Sequence, residues 1–205
     1  GSATFGDTLK VMSLNGDVDW NIGTQLLVGN TAMFTTNGGD VDITTGGNAT
    51  IGNLWSVTTS GGELTVDVTG NLNVGPNATL NSGSGYQSVT TTGNATFGSN
   101  LQVTTQNADV DWTIGELLQV GNLATITTSG GDVTILTGNN ATVGTQWTVN
   151  TAGGMLTVDV DGNLNVGANA TLASGAGNQF VTTTGSATFG DNLKVTTLNG
   201  NVDWL

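Results

Sequence analysis

The chain reads as all-β, a parallel β-solenoid (β-helix), right-handed and three-sided, with nine rungs of 23 residues each. Three observations predict this. A shift of 23 residues maps the chain onto itself without a gap: in blocks starting at Ser2, Gln25, Asn48, Asn71, Asn94, Leu117, Asn140, Asn163 and Ser186, the fifth residue is always glycine, from Gly6 and Gly29 to Gly190. Apolar residues fall at positions 2, 4, 8, 10, 17, 19 and usually 21 of a block, which is alternation in three short runs and not helical spacing. No block carries an insertion. A fixed period of this size marks a repeat architecture whose units bury their apolar faces only by stacking on one another.

Each block supplies three strands. In the fifth these are centred on Ala95 and Phe97, on Leu101 and Val103, and on Val110, Trp112 and Ile114. The breaks fall at the constant glycine and at Gln106 to Ala108, whose counterparts are mostly Gly, Asn or Ser, residues that tolerate the left-handed backbone of tight turns. Equivalent strands then lie parallel and in register at about 4.8 Å per rung, a rod on the order of 40 Å long. Right-handed coiling is the expected sense of parallel crossovers. Three strands per rung imply a triangular section, with a flattened two-sided coil as the alternative.

A second period overlies the first. GSATFG at Gly1, GNATFG at Gly93 and GSATFG at Gly185 are spaced by 92 residues, dividing a single elongated domain (1–205) into super-repeats 2–93, 94–185 and a partial 186–205. Position 2 alternates Ala3, Leu26, Ala49, Leu72, Ala95 and onward, while position 8 runs Leu9, Ala32, Trp55, Ala78, Leu101 and onward. Large faces small in every rung, which fills a narrow core without overfilling it. Trp20, Trp112 and Trp204 recur at position 19, and Trp55 and Trp147 at position 8; both sets read as core filling.

Composition bounds the function. The chain has 205 residues with 33 glycines, one proline, no cysteine, no histidine and no arginine, and its net charge is −13. That charge argues against nucleic-acid and anionic-membrane partners, both of which need a basic footprint, and no apolar run is long enough to insert in a membrane. The absence of cysteine rules out a disulfide framework or a thiolate metal site. Charged partners should be cations.

The acidic residues concentrate at positions 16 and 18. Among them Asp17, Asp19, Asp40, Asp42, Asp109 and Asp111 are the candidate ligands for weakly bound calcium, since stacked rungs bring carboxylates about 5 Å apart and calcium prefers clustered oxygens. A solvated acidic skin that discourages lateral aggregation is the competing reading, and no other cofactor is implied. Asp17 with Asp19, or Asp159 with Asp161, could serve as an acid–base pair, but with no inserted loop to build a cleft the chain reads as a non-enzyme.

Serine or threonine fills position 12 of every block, from Ser13 to Thr197. The column reads as a strand-end hydrogen-bonding ladder in preference to an ice-binding rank, because the outward position 9 is irregular, from Lys10 and Met33 to Lys194. The Asn-Ala-Thr sequons, such as that at Asn94, are by-products of the repeat. Rungs 4 and 8 differ from the rest: Tyr86-Gln87-Ser88 and Asn178-Gln179-Phe180 put glutamine at a core position and leave Tyr86 and Phe180 outside. Either these strands bulge, or Tyr86 and Phe180 make a lateral contact every four rungs.

Units such as GNATFGSNLQVTT and GNLNVGANATL resemble the repeat regions of large bacterial surface exoproteins, the filamentous-haemagglutinin-like adhesins and related solenoids. The resemblance runs the length of the chain in composition and rhythm. It implies an extracellular, cell-surface rod, and the expected function is a structural segment of a filament, stalk or adhesin shaft. The alternative is a binding module, ice-binding or adhesive to cell-surface glycans, using a flat Thr/Asn face. Self-association is the expected partnership, lateral or along the axis. Because both ends carry core-type residues, covalent continuation is favoured over stacking of subunits, which would set Trp20 over Trp204 and Ala3 over Ala187.

Overall fold

The computed structural model describes residues 1–205 and contains no helix. Its strands form three parallel nine-stranded sheets, each taking one strand from every rung in order. In rung 5 the strands are Ala95–Phe97 in the first sheet, Leu101–Thr105 in the second and Val110–Ile114 in the third. Three sheets settle the cross-section as three-sided. The stacking follows the 23-residue shift, as in Leu72↔Ala95 and Leu101↔Ala124.

Alternation decides which side chains enter the core. Positions 2, 4, 8, 10, 17, 19 and 21 point inward and form one continuous cluster along the axis. Leu72 is buried between Ala49 and Ala95 in its column, and Ala78 lies between Trp55 and Leu101. Trp55, Trp112 and Trp147 are buried, as core filling requires. In rung 5 Trp112 stacks on Phe97 across the core, centroids 4.9 Å apart, and Phe189 and Trp204 repeat the pair at 5.1 Å in rung 9.

Position 12 also points inward. Thr36, Thr59, Ser82, Thr105, Thr128, Thr151 and Ser174 are buried, and each hydroxyl donates to the carbonyl three residues on, for example Thr128 to Gly131 and Ser174 to Gly177, both at 2.5 Å. A short hydroxyl here occupies core space and satisfies a turn carbonyl at once. This is the strand-end ladder expected, placed inside the coil.

The constant glycine has a different cause from the one expected. None of the position-5 glycines has a positive φ. Their reason is the close approach of rungs: a Cβ on Gly52 would collide with the Gly29 carbonyl, and one on Gly167 would lie 2.7 Å from the Gly144 carbonyl carbon. Left-handed backbone instead occurs at position 7 of rungs 4 to 9, at Asn77, Asn100, Leu123, Gln146, Asn169 and Asn192, with φ near 60°.

That corner changes form once, at the only proline. In rungs 2 and 3 the corner N–H groups donate back to the preceding rung, Asn30 to Asp7 at 3.0 Å and Asn53 to Asn30 at 2.7 Å. Pro76 has no N–H with which to continue. From rung 4 the corner donates forward instead, Asn77 to Ser99 at 2.8 Å and Asn100 to Asn122 at 3.0 Å, and position 7 becomes left-handed. Asparagine suits that conformation.

The glutamine strands are not bulged. Gln87 pairs in register with Leu64 and Val110, and Gln179 with Leu156 and Val202. The irregularity sits earlier in rung 4, between Asn81 and Gly83, where the register to rung 5 skips a residue and Gly83 takes a φ of 59°. Gly175 does the same in rung 8, with a φ of 58°. The glutamine amides are the compensation. Gln179 Nε2 donates to the Thr196 carbonyl at 2.6 Å, and Gln87 Nε2 approaches that of Thr104 at 3.5 Å. Their Oε1 atoms have no partner.

Candidate functional site

With no inserted loop, the chemistry available lies on the outer faces. The third sheet and its flanking turns carry most of the acid. At position 16 the carboxylates are part of the framework: Asp17 Oδ1 accepts the Asp40 N–H at 2.9 Å, Asp40 that of Glu63 at 2.7 Å, and Asp109 that of Asp132 at 2.8 Å. Asn178 makes the same bond to Asn201 at 2.9 Å. Asp and Asn make this bond alike, so the charge is incidental to it, and Glu63, Tyr86 and Met155 stand in the same column without making it.

At position 18, Asp19 and Asp42 are register partners on adjacent strands. Asp111 lies three rungs further along and accepts the Tyr86 hydroxyl at 2.8 Å. The six candidate calcium ligands therefore fall into two separated groups, and nowhere do three carboxylates converge on a point.

Tyr86 is half-buried at position 16, and Phe180 is half-buried at position 18 of the same sheet. They do not occupy equivalent places. Burial, followed by the hydrogen bond to and the charge of Asp111, pushes the Tyr86 phenol up from 10.0 to about 12.

Asp159 and Asp161 line a groove of about 450 Å³ along the corner between the third and first sheets, with Thr113, Gly115, Leu136 and Thr184. Its glycines and threonines leave the floor shallow. No histidine or arginine exists in the chain to complete an acid–base arrangement there.

The second sheet is chemically different. Its outward columns are positions 9 and 11, and none of the fifteen acidic residues occupies them. From rung 3 to rung 6 they read Ser56 and Thr58, Thr79 and Asn81, Gln102 and Thr104, Thr125 and Thr127. Position 11 is the hydroxyl column that the sequence pattern obscured, because the adjacent position 12 is more regular. Over these rungs the face is neutral and hydrogen-bonding.

A second ladder was also concealed. At position 1, Asn48, Asn71, Asn94, Asn140 and Asn163 each use Oδ1 to accept the N–H of the residue one rung later, at 2.7–3.0 Å. Three of them, Asn48, Asn94 and Asn140, begin sequons, so the repeat motif has a structural role. Isolated asparagines 23 residues apart carry no such signal until the rungs are stacked.

No helix is long and apolar enough to cross a membrane. No family model, curated protein or solved structure matches the chain.

Proposed function

We propose that the chain is a structural segment of an extracellular bacterial filament, stalk or adhesin shaft at the cell surface, without catalytic activity. The observation that supports this reading is the unbroken three-sided ladder: nine rungs without an insertion, each fixed to the next by backbone bonds and many of them also by the Asn and Asp columns, while the inward hydroxyls hold the turn within each rung. Such a body transmits force along its axis, and its acidic third face keeps neighbouring shafts apart. Electron microscopy of the native assembly is the test. Elongated fibres or stalks of solenoid width are expected, and a compact particle with no elongated part would reject the reading.

One observation favours a binding module as the second reading: the neutral hydroxyl and amide face of the second sheet. A charge-free array of regular spacing suits an extended hydrogen-bonding surface such as a glycan or ice. Ice-recrystallisation and glycan-array assays on the soluble chain separate the two, and negative results in both leave the shaft.

A further inference from the structure

We propose that two outward patches of opposite charge, one on the third sheet at rungs 6 to 8 and one on the second sheet at rungs 1 and 2, dock on each other between copies of this chain lying side by side. The inference deepens the shaft reading and rests on it.

Both patches depart from the 92-residue repeat on the outer surface alone. At the inward positions 17, 19 and 21, rungs 6 to 8 carry the same residues as rungs 2 to 4, from Val133 and Val41 to Thr183 and Thr91. Outward the two stretches part: Glu63, Thr44 and Ser88 give way to Met155, Leu136 and Phe180, and Asp42 gives way to Thr134. The third face loses two carboxylates and gains three apolar side chains over an unchanged core, so packing does not account for the exchange. Met155 is 38% exposed, Leu136 is 37% exposed and Phe180 is half-buried. In register, Thr157 stands between Thr134 and Phe180, with Met155 and Asp159 on either side along its own strand and Leu136 on the diagonal. Neighbours of this kind lie within reach of long and aromatic side chains. Asp159 and Asp161 remain at the edge, on the rim of the groove they share with Leu136.

The second-sheet patch departs in the same way. Leu9, Val11 and Ala32 match Leu101, Val103 and Ala124 inside, whereas Lys10, Met12 and Met33 stand outside where rungs 5 and 6 carry Gln102, Thr104 and Thr125. Lys10 and Met33 are register partners on adjacent strands. Strand alternation turns all three side chains outward, whatever lies beneath rung 1. All three methionines of the chain therefore lie on the two patches and none in the core. An unbranched thioether that adapts its shape suits a contact surface.

One copy cannot bring its own patches together, because they lie on different sheets. Like on like is disfavoured: the third-sheet patch facing itself would oppose Asp159 and Asp161 with no cation nearby, since both lysines, Lys10 and Lys194, occupy position 9 of the second sheet. Lys10 against Asp159 and Asp161, with Met12 and Met33 against Leu136 and Phe180, joins opposite charges and covers apolar surface on both sides. Lys194 lacks such surroundings, since its register partner is Thr171 and Thr196 follows it on the strand. The remaining acid of the third face still holds shafts apart, which confines the contact to one place. Because the two patches differ, the contact does not close on itself, and each added copy presents a free patch to the next.

Sedimentation velocity on the full chain, from micromolar to millimolar concentration, tests the inference. The parent should grow past the dimer, and added salt should weaken the association. Lys10→Glu should weaken it by about tenfold or more, while Lys194→Glu should behave as the parent. Phe180→Asp, which restores the residue that Asp19, Asp42 and Asp111 supply at position 18, should also leave single chains. Both substitutions lie on outward positions, so the melting temperature of dilute chain should not move.

Mixed in equal amounts, the Lys10→Glu and Phe180→Asp chains should form a pair that grows no further, because each retains one intact patch of the opposite kind. A parent that stays single, a parent that stops at the dimer, a Lys10→Glu chain that associates as well as the parent, or a mixture that stays single would each overturn the inference. None of these outcomes alters the microscopy on which the shaft reading stands.

Discussion

Leu123 occupies a left-handed corner with a φ of 59° and is 42% exposed, so it bears a conformational cost with little burial in return. Asn77, Asn100, Asn169 and Asn192 in the same column show the residue that suits the site. Leu123→Asn should stabilise by about 1 kcal/mol, since a non-glycine side chain in this region costs roughly 1–2 kcal/mol and asparagine escapes part of it; urea denaturation reads the change. Leu72 is the opposite case, buried between two alanines. Leu72→Ala should cost about 2–5 kcal/mol, with partial recovery on adding Ala78→Leu; an unshifted urea midpoint would place Leu72 outside the core. Tyr86 supplies a pH effect. It is the only tyrosine, so ultraviolet difference titration reads it alone, with ionisation expected at about 12. Because the folded phenol holds its proton more tightly than the unfolded one, its contribution to stability is complete below pH 10.0 and is lost as pH rises towards 12. Asp111→Asn should lower the titration point, though not to its ordinary value, since burial is the larger cause.

At the scale of one rung on the next, the spacing is set by groups that lack bulk. Gly52→Ala places a methyl against the Gly29 carbonyl and should destabilise by about 1–3 kcal/mol or more. Gly6→Ala, with open space around it, should stay within about 0.5 kcal/mol of the parent. Comparable melting of the two variants would mean that rung spacing is not what selects glycine. The strands and their register were legible in the sequence because period-two alternation and a 23-residue shift survive in every block. Three things were not. The inward turn of position 12 was hidden by its polarity, and its hydroxyl bonds became visible only with the turn carbonyl in place. The asparagine and aspartate ladders join residues one rung apart, so no local pattern announces them. Gln87 and Gln179 suggested a bulge in their own strands, whereas the irregularity lies at Gly83 and Gly175, and the glutamines answer it from across the core.

In the whole molecule, stability is a chain of neighbour interactions, and the four-rung identity decides which neighbours fit. Deleting residues 94–116 would bring Leu72 against Leu118 and Ala78 against Ala124. Deleting 94–139 restores Leu72 against Ala141 and Ala78 against Trp147. The two-rung deletion, although it leaves the shorter chain, should therefore melt at the higher temperature; the reverse order would show that length outweighs column matching. The same neighbour logic bears on the corner at Pro76. Below it, Asn53 directs both its N–H and its amide back to Asn30; above it, Asn77 donates forward to Ser99 and accepts from Asn100. Along that corner, no backbone hydrogen bond crosses between Asn53 or Leu54 and Pro76 or Asn77. Every other step along that corner carries such a bond, so under a load pulling along the axis this edge is slack at the seam. Under tension the rod should gape on that side and bend away from it, so that a single missing proton gives this edge of the column a set place to flex.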